Sequence, residues 1–225
     1  MDLGIHSLGL FVISGLLLNI TPGPDSILIM MRSATQGWRA GSAAALGIGS
    51  GTMIHVVAAA LGLSALLSHS ALAFNFVKYL GAAYLFYLGL SMLWQNWRQP
   101  AKFASGATGS QPTAYAQVAN LSLGRIYLQG FWTNLLNPKV ALFFLAFVPQ
   151  FIQADSQHKA LAFIVLGCIF NFNGMLWCHF LAWISARASQ QFQLAAIWSK
   201  LLQSGIAIGF IALSIKLALT EQRSH

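Results

Sequence analysis

The chain has 225 residues, of which 57% are hydrophobic and 7% charged, with a formal net charge of +8. Soluble globular chains carry about 25% charged residues, so this composition excludes a soluble fold and calls for a surface exposed to lipid. The basic residues stand singly beside apolar segments, a placement that sets membrane topology and speaks against a nucleic-acid partner.

Six apolar segments reach the roughly 20 residues that span a bilayer, at 6–31, 40–67, 71–95, 124–153, 158–184 and 196–219. The leading stretch MDLGIHSLGL has no basic n-region, so the first segment is expected to remain in the mature protein. That segment is interrupted by NITPGPDSIL at 19–28, which places Pro22, Gly23, Pro24 and Asp25 inside apolar sequence. The second segment has no charge from Ala40 to Leu67. Ala43, Gly47, Gly51 and His55 recur every four residues there, a stripe that lets helices approach closely. Residues 98–120 form the long polar loop, rich in Gly, Ser, Pro and Gln. The expected organisation is a three-helix unit at 1–97, a cytoplasmic loop at 98–122 and a second three-helix unit at 123–225. The fourth segment carries Asn137-Pro138-Lys139, and the fifth carries Asn171, Asn173 and His179. One of the two asparagines is expected to face a cavity. Cys168 and Cys178 lie about 15 Å apart on one helix, too far for a disulfide, and read as buried small hydrophobes. The sixth segment has Gly205-x-x-x-Gly209.

Arg32, Arg39, Arg98, Lys102, Arg125, Arg187 and Lys200 fall at one side without an acid. The other side mixes Lys78, Lys159, Lys216 and Arg223 with Asp2, Asp155 and Glu221. The first side is therefore expected to be cytoplasmic and both termini periplasmic.

The halves resemble each other. Gly15 and Asn19 precede Thr21-Pro22, and Gly130 and Asn134 precede Asn137-Pro138 with the same Gly-to-Asn spacing. The third and sixth segments share Gly-x-Ala-x-x-Phe, at Gly81/Ala83/Phe86 and Gly205/Ala207/Phe210. An odd number of helices per repeat puts the halves in opposite orientations, as in secondary transporters with sites at broken helices. Proline interrupts a helix, yet it suits the first helical position after a capping Thr or Asn. Thr21-Pro22 and Asn137-Pro138 are thus expected to break the first and fourth helices and start new half-helices. Their exposed N–H groups suit a carboxylate. Asp25 sits where a helix dipole favours an anion. Lys139 follows Pro138, where the dipole disfavours it, and a cation that deep costs about 2.5–3.5 kcal/mol. Substrate binding, or pairing with Asp25, would offset that cost. Asn19, Asn134 and His55 join Asp25, Lys139, Thr21 and Asn137 as candidates for substrate binding or coupling.

With these residues in view, the chain resembles the LysE/RhtB family of amino-acid exporters. The matching stretches are TPGPD at 21–25, GWRAG at 37–41, ALGIGSG at 45–51, YLGAAYLFYLGL at 79–90 and NPKVALFFLAFVPQF at 137–151. The resemblance implies efflux of an amino acid or derivative across a bacterial inner membrane, driven by protons. Many family members carry Asp after the second-helix glycines where this chain has Thr52, so any proton coupling here falls to Asp25 or His55. No cofactor is implied, and homo-oligomerisation stays open. The alternatives are an intramembrane serine protease using Ser50 and His179, a thiol carrier using the two cysteines, and a metal transporter, although no His- or Cys-rich loop appears.

Overall fold

The computed structural model describes residues 2–63, 120–153 and 155–187, with scattered helical positions between 76 and 94 and between 208 and 215. Apart from those positions, the third and sixth segments, the polar loop and Gly205-x-x-x-Gly209 lie outside the described residues. The helices are α1 (Leu8–Ile20), α2 (Pro24–Gln36), α3 (Trp38–Ala58), α4 (Leu123–Leu135), α5 (Pro138–Leu142) and α6 (Lys159–Arg187). A π turn at Ala59–Leu63 extends α3. Another at Phe143–Phe147 and a 3-10 turn at Val148–Phe151 extend α5. Among the described residues there is no strand, only an isolated bridge between Ile5 and Ile152.

Trp38–Gly62 and Lys159–Arg187 are each long and apolar enough to cross a membrane. The other helices reach that length only in pairs: α1 and α2 meet at 54°, and α4 and the α5 run at 47°. Gly37 joins α2 to α3 with φ of 83°, a left-handed conformation that glycine adopts without strain. The small-residue stripe packs α3 against α4. A Cβ on Gly47 would strike the Tyr127 carbonyl, and one on Gly130 would strike the Ala44 carbonyl. Backbones approach closely because neither position carries a side chain.

Two cores flank the middle of the bundle. One is aromatic, with Phe11, Phe143, Phe147, Phe151, Phe163 and Phe170 packed together. Its ring centroids come as close as 4.5 Å, between Phe143 and Phe170. The other is built of smaller side chains, among them Ile29, Ala40, Ala44, Ile48, Ile126 and Ala182. Beyond the aromatic core the N-terminal strap is tied to the chain after α5. His6 N–H donates to Phe151 O at 3.0 Å, and Gln153 N–H donates to Gly4 O at 2.8 Å. Beyond the small core, buried Arg32 donates to Gln129 Oε1 at 2.9 Å and to Gln36 Oε1 at 3.1 Å. Gln36 in turn donates to Leu121 O at 3.0 Å. The α1–α2 pair therefore starts at the aromatic end, and the α4–α5 pair starts at the other. The two broken pairs run in opposite directions.

Candidate functional site

The first break begins where α1 ends. Thr21 is the C-cap of α1: its N–H and its hydroxyl both donate back to Leu17 O, at 3.0 and 2.7 Å. Gly23, extended with φ of −161°, caps α2, and Pro24 occupies its first turn. This corrects the expectation that Thr21 caps a helix starting at Pro22. Proline disfavours the helical region for the residue before it, so Pro24 holds Gly23 extended and delays the helix start. Asn137 caps α5 through its side chain, which accepts from Lys139 N–H at 3.0 Å, and Pro138 follows in the first turn.

The two breaks hold each other's charges. Lys139 Nζ crosses to α1 and donates to the carbonyls of Leu18 and Thr21, at 3.1 and 3.0 Å. These belong to the last turn of α1, where carbonyls lack helical partners and the dipole favours a cation. The dipole argument made from Pro138 therefore does not hold for Lys139, because the long side chain carries the ammonium away from its own helix. Gly23 leaves it room: a Cβ there would lie 3.3 Å from Nζ. In the other direction, Asp25 Oδ2 accepts from the side-chain amides of Asn134 at 2.8 Å and Asn137 at 3.2 Å. Asp25 and Lys139 form no ion pair with each other; their hydrogen bonds go to neutral partners.

Asn134 is oriented from behind. Thr52 Oγ1 lies 3.2 Å from its Oδ1, and His55 Nε2 lies 3.3 Å from its backbone carbonyl. Only a nitrogen bearing hydrogen can donate to that carbonyl, so this contact needs hydrogen on Nε2. The His55 ring stacks on Phe144, with centroids 6.3 Å apart.

Between the two cores lies a cavity of about 40 Å³. A water takes about 10–15 Å³ on that scale, so roughly three fit. Asp25, Lys139, Asn19 and Asn134 line it, together with Ser26, Thr52, Asn171 and Cys178. Thr21, Asn137 and His55 stand behind the wall, and Pro22, Gly23, Pro24 and Pro138 shape the breaks. Asp25 Oδ1 and Asn19 Nδ2 are buried without a hydrogen-bond partner. The N–H groups of Asp25 and Ser26, in the first turn of α2, also have none among the described residues. An unpaired buried polar group costs about 1–3 kcal/mol and marks where a ligand or water belongs.

The sequence pointed to no site role for Gly49, Gly174 or Met175, which also lie on the wall. Glycine and methionine in an apolar helix carry no chemical signal; Gly49 alone stood in a quoted stretch, ALGIGSG at 45–51. Of the two asparagines in the fifth segment, Asn171 is the one on the wall. The protease alternative fails on geometry. Ser50 is engaged by Tyr127 OH at 2.7 Å and by Leu46 O at 3.0 Å, while His179 Nδ1 is held by Met175 O at 2.8 Å. The two are not hydrogen-bonded to each other. Cys168 and Cys178 are free thiols, and among the described residues no His, Cys, Asp and Glu cluster could hold a metal.

The comparisons with known proteins bear on the whole arrangement. A family model described as "LysE type translocator" matches residues 16–221. An uncharacterized membrane protein of Pseudomonas aeruginosa is 32% identical over 216 residues, 96% of each chain. One from Bacillus subtilis is 30% identical over 216 residues, 96% of this chain and 100% of that one. A homoserine/homoserine lactone efflux protein of Salmonella typhi is 35% identical over 157 residues, 70% of this chain and 69% of its own. No solved structure matches the chain.

Proposed function

Because the chain belongs to the LysE type translocator family, we propose that it exports an amino acid or small amino-acid derivative across a bacterial inner membrane, coupled to protons. One observation carries the reading: the same cavity is lined by Asp25, with an unpaired carboxylate oxygen, and by Lys139 with its ammonium. A zwitterion presents the complementary pair of charges. Its ammonium meets Asp25 Oδ1. Its carboxylate meets the third hydrogen of Lys139 and the free N–H groups at the start of α2, whose dipole favours an anion. The efflux activity named for the Salmonella typhi relative is consistent with this class of cargo.

Transport then proceeds by alternating access between two inverted three-helix repeats, each contributing one helix broken at proline. Support comes from the two bent pairs, at 54° and 47°, running in opposite directions and crossing charges at their breaks. Irregular backbone at membrane depth is tolerated where it lines a cavity, and the cavity lies at the breaks. Asp25 is the group that exchanges protons, since it is the acid on the wall.

Growth of an overexpressing strain on inhibitory amino acids and analogues should reveal protection against the exported compounds. Purified protein in vesicles should then move the same compounds uphill when a proton gradient is imposed. Failure of both across the panel would refute the reading.

The orientation is tested separately. Arg32, Arg39, Arg125 and Arg187 sit toward the end of the molecule opposite the N-terminal strap, and we place that end in the cytoplasm with both termini in the periplasm. A cysteine introduced in the 98–120 loop should be shielded from an impermeant thiol reagent in intact cells, and one placed near Ser156 should react. The reverse pattern would overturn this topology.

A further inference from the structure

The zwitterion-binding reading leaves part of the cavity wall without a task. The Asn19 side chain makes no hydrogen bond among the described residues, and its Nδ2 is buried. It faces α6 where that helix has no side chain: a Cβ on Gly174 would lie 3.2 Å from the Asn19 amide. Asn171, one turn earlier on α6, also lines the cavity. Across from it, Gly49 leaves room for Met175, whose Sδ would meet a Cβ there at 2.5 Å. The charge-bearing groups of the cavity are Asp25 and Lys139. Asn19 is a neutral group, one residue beyond the Leu18 carbonyl that holds Lys139.

We infer that Asn19 reads the substrate's side chain, and that Gly174 behind it sets how long that side chain can be. The inference rests on the proposal that the cavity binds an amino acid, and adds which part of the cavity selects among amino acids. An amide carries donors and an acceptor, so it pairs with a hydroxyl whichever way it is turned. It leaves a methyl group facing an unsatisfied amide. A site built to hydrogen-bond a hydroxyl discriminates against the analogue lacking it far more strongly than an apolar pocket discriminates by size. Asn19 and Asn171 give this part of the wall a polar lining, so the side chain it suits is a short polar one. Gly174 matters because any side chain there would press on Asn19 and shorten the subsite.

The test uses two compounds matched in shape: homoserine and norvaline, in which a methyl replaces the hydroxyl. Competition with labelled homoserine in vesicles gives their relative affinities for the full-length protein. The wild type should favour homoserine by at least about tenfold. Asn19→Leu should bring that ratio to within about threefold, mainly by improving norvaline. Gly174→Ala should weaken homoserine more than serine, which is one methylene shorter. A ratio near one in the wild type would overturn the inference. So would a wild-type ratio retained in Asn19→Leu, or equal losses for serine and homoserine in Gly174→Ala. If Asn19→Leu fails to insert, the Gly174→Ala comparison decides alone. Transport of amino acids with no such selectivity defeats this inference only; absence of any amino-acid transport defeats the function proposed above as well.

Discussion

Lys139→Met should abolish transport while the protein still inserts in the membrane. Methionine keeps most of the length and apolar bulk of the side chain and removes the ammonium. Two losses follow. The carbonyls of Leu18 and Thr21 lose the donor that reaches them at 3.1 and 3.0 Å, which loosens the end of α1 from the second break. Each buried carbonyl left unpaired costs about 1–3 kcal/mol. The substrate carboxylate also loses its charge partner. Removing one member of a buried charged pair costs about 2–5 kcal/mol in binding, more than roughly 30-fold in affinity. Lys139→Arg should recover only part of the activity, because a guanidinium is larger and holds its donors in one plane, whereas the ammonium directs three hydrogens tetrahedrally at two carbonyls and a ligand. Flux in vesicles, normalised to inserted protein, measures both variants. Wild-type flux in Lys139→Met would remove Lys139 from the site.

Asp25→Asn should abolish uphill, gradient-driven efflux and also exchange of substrate between the two sides. The substitution retains size, and its oxygen still accepts from the Asn134 and Asn137 amides, as Asp25 does at 2.8 and 3.2 Å. What changes is the atom facing the cavity. A free carboxylate oxygen becomes an amide NH2, which neither exchanges protons near neutral pH nor accepts from an ammonium. If Asp25 carries only the proton, exchange survives and uphill efflux alone is lost. If it also binds the ammonium, both are lost, and the unpaired Oδ1 favours this outcome. The charge swap Asp25→Lys with Lys139→Asp sharpens the forecast. A structural ion pair would tolerate it. Here position 25 faces amide donors and position 139 faces carbonyls, so the swap presents like against like. It should restore nothing, and recovery of function in the double variant would contradict the crossed arrangement.

A sequence with 7% charge already determines that this chain is a membrane protein, because apolar surface on that scale is stable only in lipid. Prolines inside apolar segments likewise mark where a bend is to be expected, since each removes a backbone donor and clashes with the preceding turn. Asn137-Pro138 could be read as a cap and helix start because capping is a matter of two or three adjacent residues. The first break was misread by two residues because two prolines competed, and the constraint that Pro24 puts on Gly23 outweighed the cap offered by Thr21. Asp25 and Lys139 stood out as charges in apolar company, and so did Asn19 and Asn134 as polar groups at matching repeat positions. Only the tertiary structure decided their partners. Lys139 was expected to suffer from its own helix dipole, and instead its ammonium lies against the end of α1, more than a hundred residues earlier in the chain. A local pattern specifies what a residue can donate or accept. Which group it meets depends on how distant helices pack, and that packing also turns Gly49 and Gly174, silent in the sequence, into the open walls of the cavity.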